Sequence, residues 1–302
     1  MLLDQVRDDL AREVAPEIRQ AAEQLARECG AAAVLFYGSV LRTGTRDDVL
    51  DYYVRTRRSL GSPLRRAVSA ASWPDVGWRE IDLGGGRIIR AKVATMPLAT
   101  FHRAASGRTL DTTIWARFAQ PCALAWSAGA AETWTVQRAV AASIITGARF
   151  AAVLGPRRGD APTFWQALFD ETYETEFRVE RAGRSGQIVR HAEAHFTRLL
   201  PLAWQADRLR FAEQDGVFEP RVELRDIQRL VAAWMVHRHA GKPINIVRLI
   251  KAAFTFDGAT RYALYKIERH TGIRIPATPW RERHPLLAAP GVLWRVYRAQ
   301  AS

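Results

Sequence analysis

Leu2, Val6, Leu10, Val14, Ile18, Ala21 and Leu25 recur every three to four residues. That spacing lines one face of a helix and predicts a single amphipathic helix over residues 2–28. Gly30, free to adopt positive φ, ends it. Ala31–Tyr37 is an unbroken apolar run closed by Gly38-Ser39, which reads as a strand followed by a tight turn. Residues 49–54 form a second β-rich run. Trp78–Leu83 and Arg87–Val93 flank Gly84-Gly85-Gly86 and predict a hairpin.

After Pro97 the periodicity becomes helical. Thr113–Phe118, Thr133–Leu154, Pro162–Phe169 and Ser185–Trp204 carry it, with loops at Gly155–Pro162 and Arg181–Gly186. Asp226–His239 is a further helix. Gly241-Lys242-Pro243 predicts a break, and Ile244–Phe254 and Ala259–His270 follow as helices. The fold class expected is α+β, with an N-terminal α+β unit over 1–100, a mostly helical unit over 101–240 and a basic helical tail over 241–302.

Composition narrows the function classes. With 302 residues and 48% hydrophobic content the chain can build a sizeable core. Its two cysteines, Cys29 and Cys122, have no zinc-ligand or CxxC spacing and point to buried thiols in a reducing compartment. The acid-bearing N-terminus resembles neither a secretory signal nor a transit peptide. The most apolar stretch, Ala139–Gly155, is interrupted by Arg149 and falls short of a membrane span. Net charge is +13, and residues 237–302 hold twelve Lys/Arg against three Asp/Glu. Such a tail suits a polyanion, either anionic lipid or nucleic acid.

The chemistry concentrates at Tyr37-Gly38-Ser39 and, after eleven intervening residues, Asp51-Tyr52-Tyr53-Val54. This layout resembles the polymerase-β-like nucleotidyltransferases. Glycine lets backbone N–H groups close on a triphosphate and serine adds a donor. A carboxylate on the next strand holds Mg²⁺ against the phosphate oxygens. The usual acid-x-acid pair is absent, because Val49 and Tyr53 flank Asp51 at two residues' distance. A second metal carboxylate is therefore sought elsewhere. Asp47 and Asp48 in the loop are candidates, as are Glu80 and Asp82, which alternation places on one face of their strand.

More specifically, the chain resembles the mitochondrial-type phosphatidate cytidylyltransferases (the translocator assembly and maintenance family) and their bacterial relatives. Tyr37-Gly38-Ser39 and Leu50-Asp51-Tyr52-Tyr53-Val54 match that family's motifs, with Val40 where the family has glycine. Ile88-Ile89-Arg90 followed by Val93 resembles its next strand, with Arg90 in a lysine's place and Lys92 in a glycine's. Ala116-Arg117 with Pro121, Thr172–Arg178, Gln187–Phe196 and Lys251–Thr255 resemble further elements in order. The resemblance implies synthesis of CDP-diacylglycerol from CTP and phosphatidic acid, with Mg²⁺ and release of pyrophosphate, in phospholipid biosynthesis. It implies a nucleotidyltransferase domain, a winged-helix-like domain and a membrane-contacting tail, with the protein cytoplasmic and peripheral on the inner face of the cell membrane. The roles implied are these. Gly38, Ser39 and Asp51 act at the reacting phosphate; Tyr37, Arg90, Arg117, Glu176, Arg178 and Lys251 bind substrate; Asp51 holds the metal with Asp48 or Asp82.

In the tail, Ile244, Val247, Ile250 and Phe254 with Arg248 and Lys251 between them form a candidate interfacial helix. Packing on the protein's own core is the alternative. His191 and His195 at i, i+4 lack a third metal ligand. The ten tryptophans are scattered as core residues are, so no nucleic-acid partner is expected. Two other readings stay open: a nucleotidyltransferase with RNA, a protein or a small alcohol as acceptor, and a non-catalytic basic binding module.

Overall fold

A computed structural model describes residues 1–44, 49–57, 73–175, 184–255, 258–271, 275–283, 287–292 and 294. The helix expected over 2–28 is two helices, α1 (Leu2–Leu10) and α2 (Pro16–Cys29). Pro16 explains the split. Its ring disfavours helical geometry in the residue before it, and Ala15 is extended (φ −54°, ψ 144°) while Pro16 opens α2. Gly30 ends α2 in the left-handed conformation, as its position suggested.

The fold is α+β, built on a mixed sheet of five strands: β1 (Ala31–Tyr37), β2 (Leu50–Thr56), β3 (Asp75–Asp82), β4 (Ile88–Pro97) and β5 (Cys122–Ser127). Their order is β3-β4-β2-β1-β5, and only β2 and β4 run parallel. The β3–β4 hairpin turns through Gly84, Gly85 and Gly86, all at positive φ. Between β1 and β2 lies a short helix, α3 (Ser39–Thr43). The fifth strand was not anticipated and it comes from beyond residue 100, so the sheet crosses the expected domain boundary. Cys122–Ser127 alternates too little to announce a strand.

Alternation divides the sheet's faces. Val34, Phe36, Tyr52, Val54, Ile81, Ala91 and Val93 pack on the α2 side chains Ile18, Ala21, Ala22 and Leu25. The other face, with Leu35, Tyr37, Tyr53, Ala94 and Met96, packs on α1 and on three following helices. These are α4 (Leu98–Ala105), α5 (Thr113–Phe118) and α6 (Ala130–Leu154). After the short β6 (Gly159–Asp160), the same core continues through α7 (Ala161–Thr175), α8 (Arg184–His191) and α9 (Glu193–Ala206). A second hairpin, β7 (Arg210–Gln214) with β8 (Val217–Arg221), joins β6 in a three-stranded sheet. Phe211 and Phe218 of this hairpin lie against Trp204.

The break expected at residues 241–243 is absent. A single helix, α10 (Leu224–Thr255), runs through Pro243. Gly241 accounts for this: a Cβ there would stand 2.5 Å from the Thr175 carbonyl oxygen, so the glycine is a site of close backbone approach to α7 rather than a helix stop. After it come α11 (Ala259–Thr271) and α12 (Pro279–Arg283). Trp78 of β3 lies against Tyr262 and Tyr265 of α11, at 5.2 Å between ring centroids in each case.

Candidate functional site

Gly38 adopts φ 101°, ψ −162°, a conformation essentially restricted to glycine. The turn it makes delivers the chain from β1 into α3, which opens at Ser39. Tyr37 pairs in register with Asp51 across β1–β2, so the carboxylate rises beside the turn. A Cβ on Gly38 would lie 2.5 Å from Asp51 Oδ2. Gly38 thus serves twice, in its backbone and in the room it leaves for the carboxylate.

Around that pair the structure gathers several of the expected residues. Asp51 is in register with Lys92 on β4, and both lie on the face turned away from α2. Arg117 donates from Nη1 to the Tyr37 hydroxyl at 3.0 Å. Its guanidinium stands 5.2 Å from the Tyr37 ring centroid and 5.9 Å from that of Tyr53. Burial raises the Tyr37 phenol well above its ordinary value; the neighbouring Arg117 charge opposes the rise and that of Asp51 adds to it. Tyr37 is therefore a neutral hydrogen-bonding post between a cation and a carboxylate. Lys92 stood in the sequence only as a departure at a glycine position. The parallel pairing of β2 with β4 reveals its nearness to Asp51, and no local motif encodes that pairing.

Beneath this cluster Arg55 continues the face formed by Asp51 and Tyr53. It is wholly buried, and among the described residues its three side-chain nitrogens find no hydrogen-bond acceptor. Its guanidinium instead lies 3.8 Å from the Phe101 ring centroid, 4.2 Å from Tyr53 and 5.4 Å from Phe118. Burial pulls its pKa down to about 9.

Other expected residues are placed elsewhere. Arg90 is two positions along β4 from Lys92, half-exposed, 4.0 Å from Glu80 Oε1 and 5.1 Å from the Tyr265 ring centroid. Asp82 sits at the far end of β3, in register with Ile88, and its Oδ1 accepts from Gly84 N–H at 2.8 Å. One strand and four residue positions separate it from Asp51, roughly 16 Å at ordinary sheet spacings. It caps the glycine turn and does not join Asp51. Lys251, 8% exposed, forms an ion pair with Asp75 at the start of β3 and fastens α10 to the sheet. Arg248, 16% exposed, pairs with Asp111 at 2.7 Å and lies over Trp73. These two tail cations face the protein, not a membrane surface. Asp47, Asp48, Glu176 and Arg178 lie outside the described residues, and so do the side chains of Ile250 and Phe254.

Among the described residues no group of three or more His, Cys, Asp or Glu could hold a metal by itself. Mg²⁺ is commonly bound through one or two carboxylates together with substrate phosphates, a pattern that asks of the protein a carboxylate such as Asp51. His191 and His195 do not converge on a metal. His191 Nδ1 is 2.7 Å from Gln187 O, whereas His195 Nδ1 is 3.2 Å from Asp9 Oδ2.

A cleft of about 580 Å³ opens at the same end of the sheet. Its walls are the α1–α2 linker, α3, the first residues of β2 and β4, and Tyr265 of α11. Arg90 lines it. Gly38, Ser39 and Asp51 do not: Phe36 and Leu50, which do, point to the α2 side, whereas Tyr37 and Asp51 point to the other.

No protein-family model matches the chain, and no curated protein matches it. No helix among the described residues is long and apolar enough to cross a membrane. Cys122 is buried, with burial pushing its thiol up to about 12, and Cys29 is half-buried and also raised by burial; both are free thiols.

Proposed function

We propose that this protein is a nucleotidyltransferase that transfers a cytidylyl group from CTP to phosphatidic acid, releasing pyrophosphate. The observation that carries the reading is the contact of Gly38 with the Asp51 carboxylate at the end of antiparallel β1 and β2, with Lys92 and Arg117 beside it. Mixed strand order around that pair supports a polymerase-β-like nucleotidyltransferase unit, and α7–α9 with the β6–β8 sheet support a winged-helix-like unit after it.

In this reading a phosphate oxygen of phosphatidic acid attacks the α-phosphorus of CTP. The bond from that phosphorus to the bridging oxygen of the β-phosphate breaks, and pyrophosphate leaves with the electron pair. The nucleophile is already anionic near neutral pH, so no general base is required. Phosphoryl-type transfer rests on positioning and electrostatics. Lys92 and Arg117 supply positive charge for the phosphate oxygens, and the Arg117 fork is oriented by the Tyr37 hydroxyl. Asp51 is the carboxylate that would hold Mg²⁺, which when bound neutralises charge on the phosphates. Peripheral membrane contact draws support from Leu224, Ile227, Val231, Met235, Ile246 and Val247, apolar residues exposed along α10.

The test is a turnover assay with purified protein, phosphatidic acid in vesicles, labelled CTP and Mg²⁺. The parent should form CDP-diacylglycerol, and Asp51→Ala should lose about 10²–10³-fold or more, the scale of a deleted transition-state contact. Transfer to RNA or a soluble alcohol in place of the lipid would replace the acceptor. CTP binding without Mg²⁺ dependence, and no transfer, would sink the reading.

A further inference from the structure

A second cleft, of about 390 Å³, shares Arg12 and Leu41 of its lining with the first. Its walls carry Arg12, Arg190, His191 and Arg198, against one carboxylate on its lining, that of Glu193. Among the described residues Arg12 and Arg190 have no salt-bridge partner, although Arg12 lies near enough to Asp9 to lower its pKa. Arg198 reaches Asp9 only at 4.0 Å and is half-exposed. Three guanidinium groups, with the His191 ring beside them, therefore line one concavity that holds a single carboxylate among its described lining residues.

Two further features fit the same ligand sign. The cleft wall includes Ala192, Glu193 and Ala194, the start of the 14-residue helix α9, where amide N–H groups and the positive end of the helix dipole lie. His195 is buried, with Nε2 3.1 Å from the Ala119 carbonyl and Nδ1 3.2 Å from Asp9 Oδ2. The Asp9 charge is thereby engaged behind the cleft: burial works to raise its pKa, yet the His195 contact and charge hold it below the ordinary value.

We propose that this cleft binds a phosphate monoester group. Guanidinium forks match phosphate oxygens in pairs, and a site formed by two or more of them prefers a dianion to a carboxylate or chloride. Resting on the cytidylyltransferase reading, this is where the acceptor's phosphate docks before transfer; the anion site itself stands without that reading. A lipid headgroup and a soluble phosphate ester share this chemistry.

The experiment titrates the full chain calorimetrically with inorganic phosphate, glycerol 3-phosphate and CTP, and measures its sedimentation with vesicles. Arg190→Gln and Arg198→Gln are made singly and together, since both side chains are exposed and their loss should leave the thermal melt unchanged. Phosphate and glycerol 3-phosphate should bind, and the double variant should weaken both at least tenfold with CTP binding retained. Preference for phosphatidic acid vesicles over phosphatidylglycerol vesicles of equal charge, lost in the double variant, assigns the site to a lipid headgroup. Equal sedimentation with both vesicles, with glycerol 3-phosphate still bound, assigns it to a soluble ester. If the parent binds neither small anion, or the double variant binds both as the parent does, the proposal is overturned. Intact anion binding with no nucleotidyl transfer would refute the proposed function and leave this site standing.

Discussion

Replacing Gly38 by alanine separates backbone from contact at the candidate site. At φ 101°, ψ −162° a non-glycine residue carries about 1–3 kcal/mol of strain. The new Cβ would also meet Asp51 Oδ2 at 2.5 Å, with Asp51 Cβ at 3.2 Å. The carboxylate is the far end of a short side chain and can swing aside, at about 0.5–1.5 kcal/mol for leaving its rotamer. Gly38→Ala should therefore lose about 2–4 kcal/mol in urea denaturation. Gly30→Ala is the control: its φ is also positive, at 56°, but its Cβ would meet nothing within 4 Å. It should lose only about 1–2 kcal/mol, the left-handed penalty alone. The contact term is then read from a double-mutant cycle with Asp51→Ala, where a coupling of about 0.5–1.5 kcal/mol is expected. Nucleotidyl transfer should fall about 10²-fold even in molecules that remain folded, because a catalytic group displaced by an ångström costs that much. Losses that add to within about 0.3 kcal/mol, with transfer unchanged, would refute the account of this turn.

Three further outcomes are expected. Arg55→Met removes a buried cation without acceptors and should stabilise the protein by about 1–4 kcal/mol; calorimetric destabilisation would mean that its aromatic contacts outweigh its desolvation. Arg55 also protonates less readily folded than unfolded, so the parent should gain stability relative to Arg55→Met as pH rises above about 9. Because Asp9 is held below its ordinary value of 3.8, its contribution is full above that pH and is lost as pH falls through the folded value. Asp9→Asn should flatten the stability profile measured between pH 2 and 6, and an unchanged acid limb would count against the His195 pairing. Gly241→Ala drives a Cβ into the Thr175 carbonyl and should cost about 1–3 kcal/mol, with faster amide exchange in α10 as the local signature.

Local signals were legible where the chain resolves them locally. The glycine triplet announced the β3–β4 turn, Gly30 announced the end of α2, and Gly38 with Asp51 were identified as neighbours before any register was known. What could not be read depends on distant partners. Apolar spacing carried the first helix through Pro16, although the proline constraint was present in the sequence. Gly241 and Pro243 looked like a stop, yet the requirement at Gly241 comes from α7, more than sixty residues earlier. The parity of Glu80 and Asp82 was correct, but parity says nothing of distance along a strand, and Asp82 lies four positions beyond the row that contains Asp51 and Lys92. The basic stretch around Arg248 and Lys251 resembled a surface for anions. Its two central cations are consumed by Asp111 and Asp75, which sequence separation had hidden.

Among the described residues β3 is the last strand on one side of the sheet, with no strand paired to its outer backbone groups. The tail covers this margin: Lys251 ties α10 to Asp75, and Gly258 brings the chain so near that its Cβ would lie 3.1 Å from the Trp78 carbonyl oxygen. Uncovered strand margins recruit other chains. A version shortened before α10 would consequently present an adhesive border to its own copies and should form aggregates. Loss of function in such a version would report self-association as readily as any missing membrane contact, and point substitutions along the outer side of α10 are the sound way to ask what that helix touches.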